Sequence, residues 1–311
     1  AESRVALTRL RPLVQAESRQ VSLKFDPTQV IDLASYPLPD MDQLVETSSG
    51  TAGGLDPTTV SFKDVAADAG IRFRYFNSDD PSTEGRRMFE FTGGGVAILD
   101  YDGDLWPDVY LTQGCLWPAT TDRQQHRDRL FRNLGNGRFQ DVTAESGLGD
   151  HRFSQGVQVG DYNNDGFADI YLANVGENRL YHNNGDGTFE DVTEAAGVGG
   201  ARWTTSCLVA DLNQDGLADL YEVNYLSGDN VFDLICSQAG GKARSCSPTE
   251  FDAQQDRLFL NLGNGQFQDA SEAMGIVAAD GKGLGIVAAD FEGAGKLSLF
   301  VANDMTANFY F

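Results

Sequence analysis

The chain reads as an all-β protein, a β-propeller of four-stranded blades, and three observations point there. Phrases recur in fixed order with a period near 50 residues. Short runs rich in β-branched and aromatic residues alternate with turns, in segments too short for helices. Asn-Gly or Asp-Gly dipeptides mark tight hairpins at the same place in successive units. Four-stranded sheets repeated at such a period make a propeller. With 311 residues, 41% of them hydrophobic and 10% aromatic, the chain can bury a real core, which excludes a wholly disordered polypeptide.

Two segments are expected: an N-terminal arm and linker over 1–55, and the repeat domain over 56–311. Residues 1–24 carry Arg4, Arg9, Arg11, Arg19 and Lys24 against Glu2 and Glu17, a net of +3. Val5, Leu7, Leu10, Leu13 and Val14 line one side of a short helix interrupted by Pro12. Both a solvated arm and a docking segment for an acidic neighbour fit this composition. Thr47 to Gly54, after Pro37 and Pro39, is a Ser/Thr/Gly linker. Ala1 to Gln20 has no apolar signal-peptide core, as expected of a processed or trimmed chain.

In the repeat domain the first phrase is F-x-D-[VA] followed by a Gly, at Phe62, Phe139, Phe189 and Phe267. The second is an apolar strand ending in an acidic loop that starts at Asp100, Asp161, Asp211 and Asp290. The third is R-L-[FY]-x-N-x-G-[ND]-G-x-F, from Arg129, Arg179 and Arg257. Arg129 to Arg179 and Asp161 to Asp211 are each 50 residues, whereas Arg179 to Arg257 is 78, with the surplus 28 between Asp219 and Arg257. Each unit therefore predicts one strand before the acidic loop, one after it, and a hairpin turning at Asn136-Gly137, Asp186-Gly187 or Asn264-Gly265. Four units are present and the last is incomplete, since the register is still intact where Phe311 falls inside it. The expectation is a ring closed by further chain or by a partner.

Charge sets the chemistry. Against 23 Lys and Arg stand 46 Asp and Glu, a formal net charge of -23, which excludes nucleic-acid binding and docking on an anionic membrane. No apolar run reaches the roughly 20 residues of a membrane span. Such an acidic excess belongs to a solvated surface or to cation sites.

The acidic loops supply those sites. They read D-Y-D-G-D-L-W-P-D from Asp100, D-Y-N-N-D-G-F-A-D from Asp161 and D-L-N-Q-D-G-L-A-D from Asp211. Oxygens at positions 1, 3, 5 and 9, with the carbonyl at position 7, can converge on one ion. The candidate ligands are Asp100, Asp102, Asp104, Trp106 and Asp108; Asp161, Asn163, Asp165, Phe167 and Asp169; and Asp211, Asn213, Asp215, Leu217 and Asp219. Ca²⁺ accepts six to eight hard oxygens in flexible geometry, whereas Mg²⁺ prefers to keep its waters, so about three Ca²⁺ ions are expected. Gly166 and Gly216 at position 6 permit the sharp turn, and Leu105 replaces that Gly in the first loop. An EF-hand would need a Glu at position 12 and flanking helices; position 12 is Leu111, Leu172 and Glu222, and the flanks are strands. The fourth loop, D-F-E-G-A-G-K-L-S from Asp290, loses two ligands at Ala294 and Ser298 and is expected to stay empty, with Lys296 near Asp290 or Glu292.

These phrases, above all G-G-G-V-A-I-L-D-Y-D-G-D, R-L-Y-H-N-N-G-D-G-T-F-E-D-V-T-E-A-A-G-V and G-K-G-L-G-I-V-A-A-D-F followed by V-A-N-D, carry a resemblance. The chain resembles the FG-GAP/VCBS-type repeat propellers, in particular the cartilage acidic protein (ASPIC/UnbV-associated) family, over about residues 56–311. The resemblance implies a seven-bladed, calcium-bound, secreted propeller acting in adhesion or assembly, with calcium in the three loops just described. It implies no reaction.

Cys236 and Cys246 flank a Gly-rich stretch in the long insertion, and a disulfide closing it fits an oxidising compartment. Related propellers carry a similar pair there. Cys207 reads as a buried thiol, and Cys115 has no evident partner. His126, His151 and His182 belong to no catalytic motif, and Gly93-Gly94-Gly95 leads into a strand rather than a phosphate-binding helix. The expectation is a non-enzymatic, calcium-binding propeller, extracellular, secreted or periplasmic, that binds a protein or glycan partner at the cell surface or builds a larger assembly. The alternative is an enzyme or redox accessory subunit with a site in the propeller channel. Recognition would fall to the insertions Leu111–Asp128 and Val223–Gln255, with Trp117, Tyr225 and Phe232 as aromatic candidates, although filling gaps between blades suits them equally.

Overall fold

A computed structural model describes residues 62–78, 85–120, 125–237, 240–278 and 280–311; the arm and linker, 1–55, lie outside these. The first unit is an antiparallel sheet of β1 (Val96–Leu99), β2 (Asp108–Leu111), β3 (Arg129–Asn133) and β4 (Phe139–Asp141), paired in sequence order. The second repeats it with β5 (Phe153–Gly160), β6 (Asp169–Glu177), β7 (Arg179–Asn183) and β8 (Phe189–Asp191). In the third, β9 (Ala201–Ala210) and β10 (Asp219–Asn224) are followed by four two-residue strands in the long insertion. These are β11 (Leu226–Ser227), β12 (Cys236–Ser237), β13 (Ala243–Arg244) and β14 (Asp252–Ala253). Then β15 (Arg257–Asn261) and β16 (Phe267–Asp269) complete the sheet. The fourth unit has β17 (Gly283–Ala289), β18 (Ser298–Asn303) and β19 (Phe309–Tyr310).

Register fixes where the acidic loops fall. The residue before each loop pairs with its ninth residue: Leu99 with Asp108, Gly160 with Asp169, Ala210 with Asp219 and Ala289 with Ser298. Every acidic loop is thus the turn between the first two strands of its unit. The first strands β1, β5, β9 and β17 neighbour one another in that order. Close approach explains the glycines that open them: a Cβ on Gly95 would lie 2.7 Å from the Gln155 carbonyl oxygen on β5.

The core lies between sheets. Ala97, Leu99, Tyr110 and Leu130 of the first unit pack against Ile170, Leu172, Tyr181 and Phe189 of the second. Tyr171, Ala173 and Leu180 meet Cys207, Leu220, Phe259 and Phe267 of the third, and Tyr221, Val223 and Leu258 meet Leu299 and Val301 of the fourth. Each sheet buries both faces only when it has neighbours on both sides. Val96 and Ile98 of β1 and Val287 of β17 are more than half exposed.

A buried tyrosine–carboxyl contact recurs inside the units. Tyr110 donates to Asp128 (2.9 Å) and Tyr221 to Asp256 (3.0 Å), and each carboxylate also accepts a backbone N–H at or just past the end of the second strand, from Gln113 and Asn224. Asn178 occupies the equivalent place in the second unit. There Tyr171 donates instead to Glu222 (2.5 Å), which the third unit contributes and which Asn178 also contacts at 2.8 Å. Burial pushes all three carboxyl groups, Asp128, Glu222 and Asp256, above the usual carboxylate range.

Three features depart from the periodic pattern. The F-x-D-V phrase at Phe62 forms no strand, and Phe62 is almost fully exposed. After F-x-D-V the chain winds one helical turn, at Ala66–Ala69, Thr143–Ser146 and Thr193–Ala196, each stopped by a left-handed Gly: Gly70, Gly147 or Gly197. The end of β6 also pairs with the start of β9, Val175 opposite Trp203, so the second and third units share one sheet.

The insertions fold onto each other. Cys236 and Cys246 form the expected disulfide, while Cys115 and Cys207 are free and buried. Trp117 lies against Phe89 and Phe232, with ring centroids 4.9 and 5.6 Å away, and donates through Nε1 to Asp233 (2.9 Å). Tyr225 is buried edge-on against Trp203. All three aromatics thus pack, Trp117 and Phe232 between the two insertions and Tyr225 against β9, and Trp117 and Phe232 stay partly exposed.

Candidate metal centres

The three candidate loops share one hydrogen-bond plan. The first residue builds the turn: Asp161 accepts from the N–H groups of Asp165 (3.1 Å) and Gly166 (2.8 Å), and Asp211 from Asp215 (3.1 Å) and Gly216 (2.9 Å). Asp100 does the same for Asp104 (3.1 Å) and Leu105 (2.9 Å). Leu105 therefore takes the left-handed conformation of its glycine counterparts, with φ 69°, in a place where its side chain is almost fully exposed. Position 5 accepts from the N–H two residues on, in Asp104 to Trp106, Asp165 to Phe167 and Asp215 to Leu217.

Position 9 is a buried keystone. Asp108 accepts from Tyr101 and Asn133 N–H, Asp169 from Tyr162 and Asn183, and Asp219 from Leu212 and Asn261, at 2.7–3.1 Å. Burial raises the pKa of all three against these hydrogen bonds, and carries Asp169 to about 6. Position 7 packs: Trp106, Phe167 and Leu217 lie over Gly135, Gly185 and Gly263, where an added Cβ would meet the side chain at 2.7, 2.5 and 3.2 Å.

The repeat phrase contains the asparagine of R-L-[FY]-x-N but does not reveal its role. Asn183 and Asn261 each bond the carbonyl of position 8 in their own loop and the second-position carbonyl of the preceding unit's loop, Tyr101 (2.9 Å) and Tyr162 (2.7 Å). Each also accepts the N–H of the next Gly. One amide thereby joins loop, hairpin and neighbouring unit. Its recurrence at fixed spacing before Gly was the available signal.

The plan leaves oxygens over for a cation. In the first loop Asp100, Asp102 and Asp108 each offer an oxygen within 4.8 Å of the others, and Asp102 Oδ1 is buried with no hydrogen-bond partner. A buried acceptor without a donor is what a coordinated ion satisfies. Arg132 shares this loop, with Nε 2.7 Å from Asp102 Oδ2 and Nη2 3.0 Å from Asp104 Oδ2. In the second loop His182 Nδ1 is 3.1 Å from Asp169 Oδ1, and Asn163 donates to Asp165 (2.8 Å). Asn213 repeats that contact with Asp215 (2.9 Å) in the third. Successive loops touch, since Asn164 donates to the Gly216 carbonyl (3.2 Å) and Gln214 to that of Gly295 (3.1 Å).

The fourth loop keeps the turn alone. Asp290 accepts from Ala294 (2.9 Å) and Gly295 (2.8 Å), and these backbone donors hold its carboxyl below the usual range. Among the described residues Lys296 forms no ion pair with Asp290 or Glu292, contrary to expectation; backbone N–H groups supply the positive partner instead.

Parts of the chain are similar to known proteins. A family model described as an FG-GAP-like repeat matches residues 100–172 and 161–222. Cartilage acidic protein 1 of Mus musculus is 28% identical over 148 residues, and that of Homo sapiens 28% over 135 residues. The alignments take in 46% and 43% of this chain but only 19% and 16% of those proteins, so the chain spans less than a fifth of their length. A solved structure of an Agrocybe aegerita lectin, described as recognising non-reducing terminal N-acetylglucosamine, covers 69% of this chain and 65% of its own. It shares 17% identity at a TM-score of 0.27, a score at which two chains need not share a fold. The chain carries FG-GAP-like repeats from residue 100 to residue 222, in keeping with the family its motifs resemble.

Proposed function

We propose that this chain folds as blades of a calcium-stabilised β-propeller that works outside the cytoplasm as a binding or assembly scaffold. The observation that carries the reading is the acidic loop itself, repeated three times in register and held by the same hydrogen bonds, with more carboxylate oxygen than the turn requires. Asp100, Asp102, Asp104 and Asp108 would hold an ion in the first loop. Asp161, Asn163, Asp165 and Asp169 would do so in the second, and Asp211, Asn213, Asp215 and Asp219 in the third, with the carbonyls of Trp106, Phe167 and Leu217. Bound calcium supplies charge neutralisation; the chain supplies the turn, the keystone carboxylate and the asparagine link.

A face-to-face succession of four-stranded sheets supports the propeller, and the Cys236–Cys246 disulfide supports an oxidising compartment. The partner, in this reading, is a protein or glycan met by the outer surface of the folded insertions. Two of the histidines have structural surroundings, His126 stacked on Phe76 at 3.6 Å and His182 on Asp169, which gives the enzyme reading no support. Chelation tests the calcium claim: removing metal lowers the melting temperature by several degrees and restoring calcium, but not magnesium, reverses the loss. An unchanged melt after verified removal overturns it. A pull-down from native extract with calcium, repeated with chelator, tests the scaffold role.

A further inference from the structure

One position facing the acidic loops changes chemistry from unit to unit. The fourth residue of R-L-[FY]-x-N is Arg132 in β3, His182 in β7 and Leu260 in β15. Only the first loop has Asp at position 3, where the others have Asn163 and Asn213. The two changes go together. In the second and third loops the position-3 amide donates to the position-5 carboxylate, at 2.8 and 2.9 Å. In the first loop Asp102 has no such donor, and Arg132 Nη2 takes over, 3.0 Å from Asp104, while its Nε lies 2.7 Å from Asp102.

We propose that Arg132 is a built-in counter-cation, which makes the first loop the last of the three to take calcium and the least dependent on it. This rests on the calcium reading above. A guanidinium against two of the four carboxylates stabilises the metal-free loop and repels an arriving divalent ion. The loop keeps binding capacity because Asp102 Oδ1 and the adjacent oxygens of Asp100 and Asp108 remain clear of the guanidinium contact. Leu260 brings no charge to the third loop, whose carboxylates depend on an outside cation. A solvent-exposed ion pair of no consequence is the competing account, since Arg132 is 40% exposed and such pairs contribute little on average.

Calorimetric titration of the metal-stripped whole chain with calcium chloride separates the two accounts. The wild type should show two tight sites and one weaker by about tenfold. R132Q, which removes the charge and keeps an amide donor on a shorter side chain, should bring the weak site up to the tight class and lower the metal-free melting temperature. R132K, which keeps the charge, should leave two classes. L260R should weaken one tight site by a similar factor. Three equal sites in the wild type, or a weak class that R132Q does not move, overturn the proposal while leaving the calcium reading intact. A wild-type chain that binds no calcium overturns the calcium reading, and the role of Arg132 falls with it.

Discussion

The third and fourth acidic loops have the same turn and different chemistry. Asp211 and Asp290 each accept two N–H groups, four and five residues on, at 2.8–3.1 Å, and φ at the sixth position is 89° for Gly216 and 75° for Gly295. Yet Asn213, Asp215 and Asp219 in the third loop become Glu292, Ala294 and Ser298 in the fourth. One aspartate and one glycine are therefore enough to make the turn. The other side chains of the third loop add to that turn, Asn213 accepting from the Asp215 N–H and Asp215 from the Leu217 N–H, and still leave acceptor capacity for the neighbouring hairpin or for an ion. Position 9 serves the hairpin through the Asn261 N–H and, in the proposed reading, the ion as well; positions 3 and 5 serve the loop and, in that reading, the ion.

The largest expected effect separates these roles. Asp219→Ala strips one buried and one partly buried N–H group of their acceptor and should cost about 2–4 kcal/mol in chemical denaturation, with or without calcium. Ser298→Ala, at the same position of the fourth loop, should stay within about 0.5 kcal/mol. Equal losses at the two sites would show that the keystone assignment is wrong. A smaller effect is expected at position 5. Asp215→Asn should leave the metal-free melt nearly unchanged and remove about 1–3 kcal/mol of calcium-dependent stabilisation, whereas Glu292→Gln in the fourth loop should remove none.

The smallest effect is a slope in pH. Burial pushes Asp256 up to about 7 from 3.8, against the hydrogen bonds from Tyr221 and the Asn224 N–H. Between those values the folded chain holds a proton at Asp256 that the unfolded chain has lost. This contribution is therefore complete below about pH 4 and is lost as pH rises through about 7. Asp256→Asn, which installs the residue the second unit already has at Asn178, should flatten that part of the stability profile. A wild-type slope that persists in the variant would assign it to other groups, such as Asp128 or Glu222.

Much of this was legible in the sequence. The Asn-Gly and Asp-Gly turns appear where expected, with positive φ at Gly137, Gly187 and Gly265, because only a residue without Cβ enters that conformation freely. The four-stranded order and the disulfide were likewise readable. Other features depend on partners that a linear pattern does not name. The links from Asn183 to Tyr101 and from Asn261 to Tyr162 bridge 82 and 99 residues. Glu222 serves Tyr171 from another unit, and nothing in the spelling of D-L-Y-E distinguishes it from a solvated acid. Trp117 and Phe232 lie in insertions without period, so hydrophobic spacing could not tell surface from core. The phrase at Phe62 has the spelling of a strand but pairs with none among the described residues.

The central claim is that the loops with a full set of oxygens hold calcium and the depleted loop does not. Anomalous diffraction from crystals grown in calcium reads this directly. The account predicts peaks within the loops of Asp161–Asp169 and Asp211–Asp219, a weaker one at Asp100–Asp108, and none at Asp290–Ser298. Loops without any peak, or a peak at Asp290 equal to that at Asp211, would contradict it.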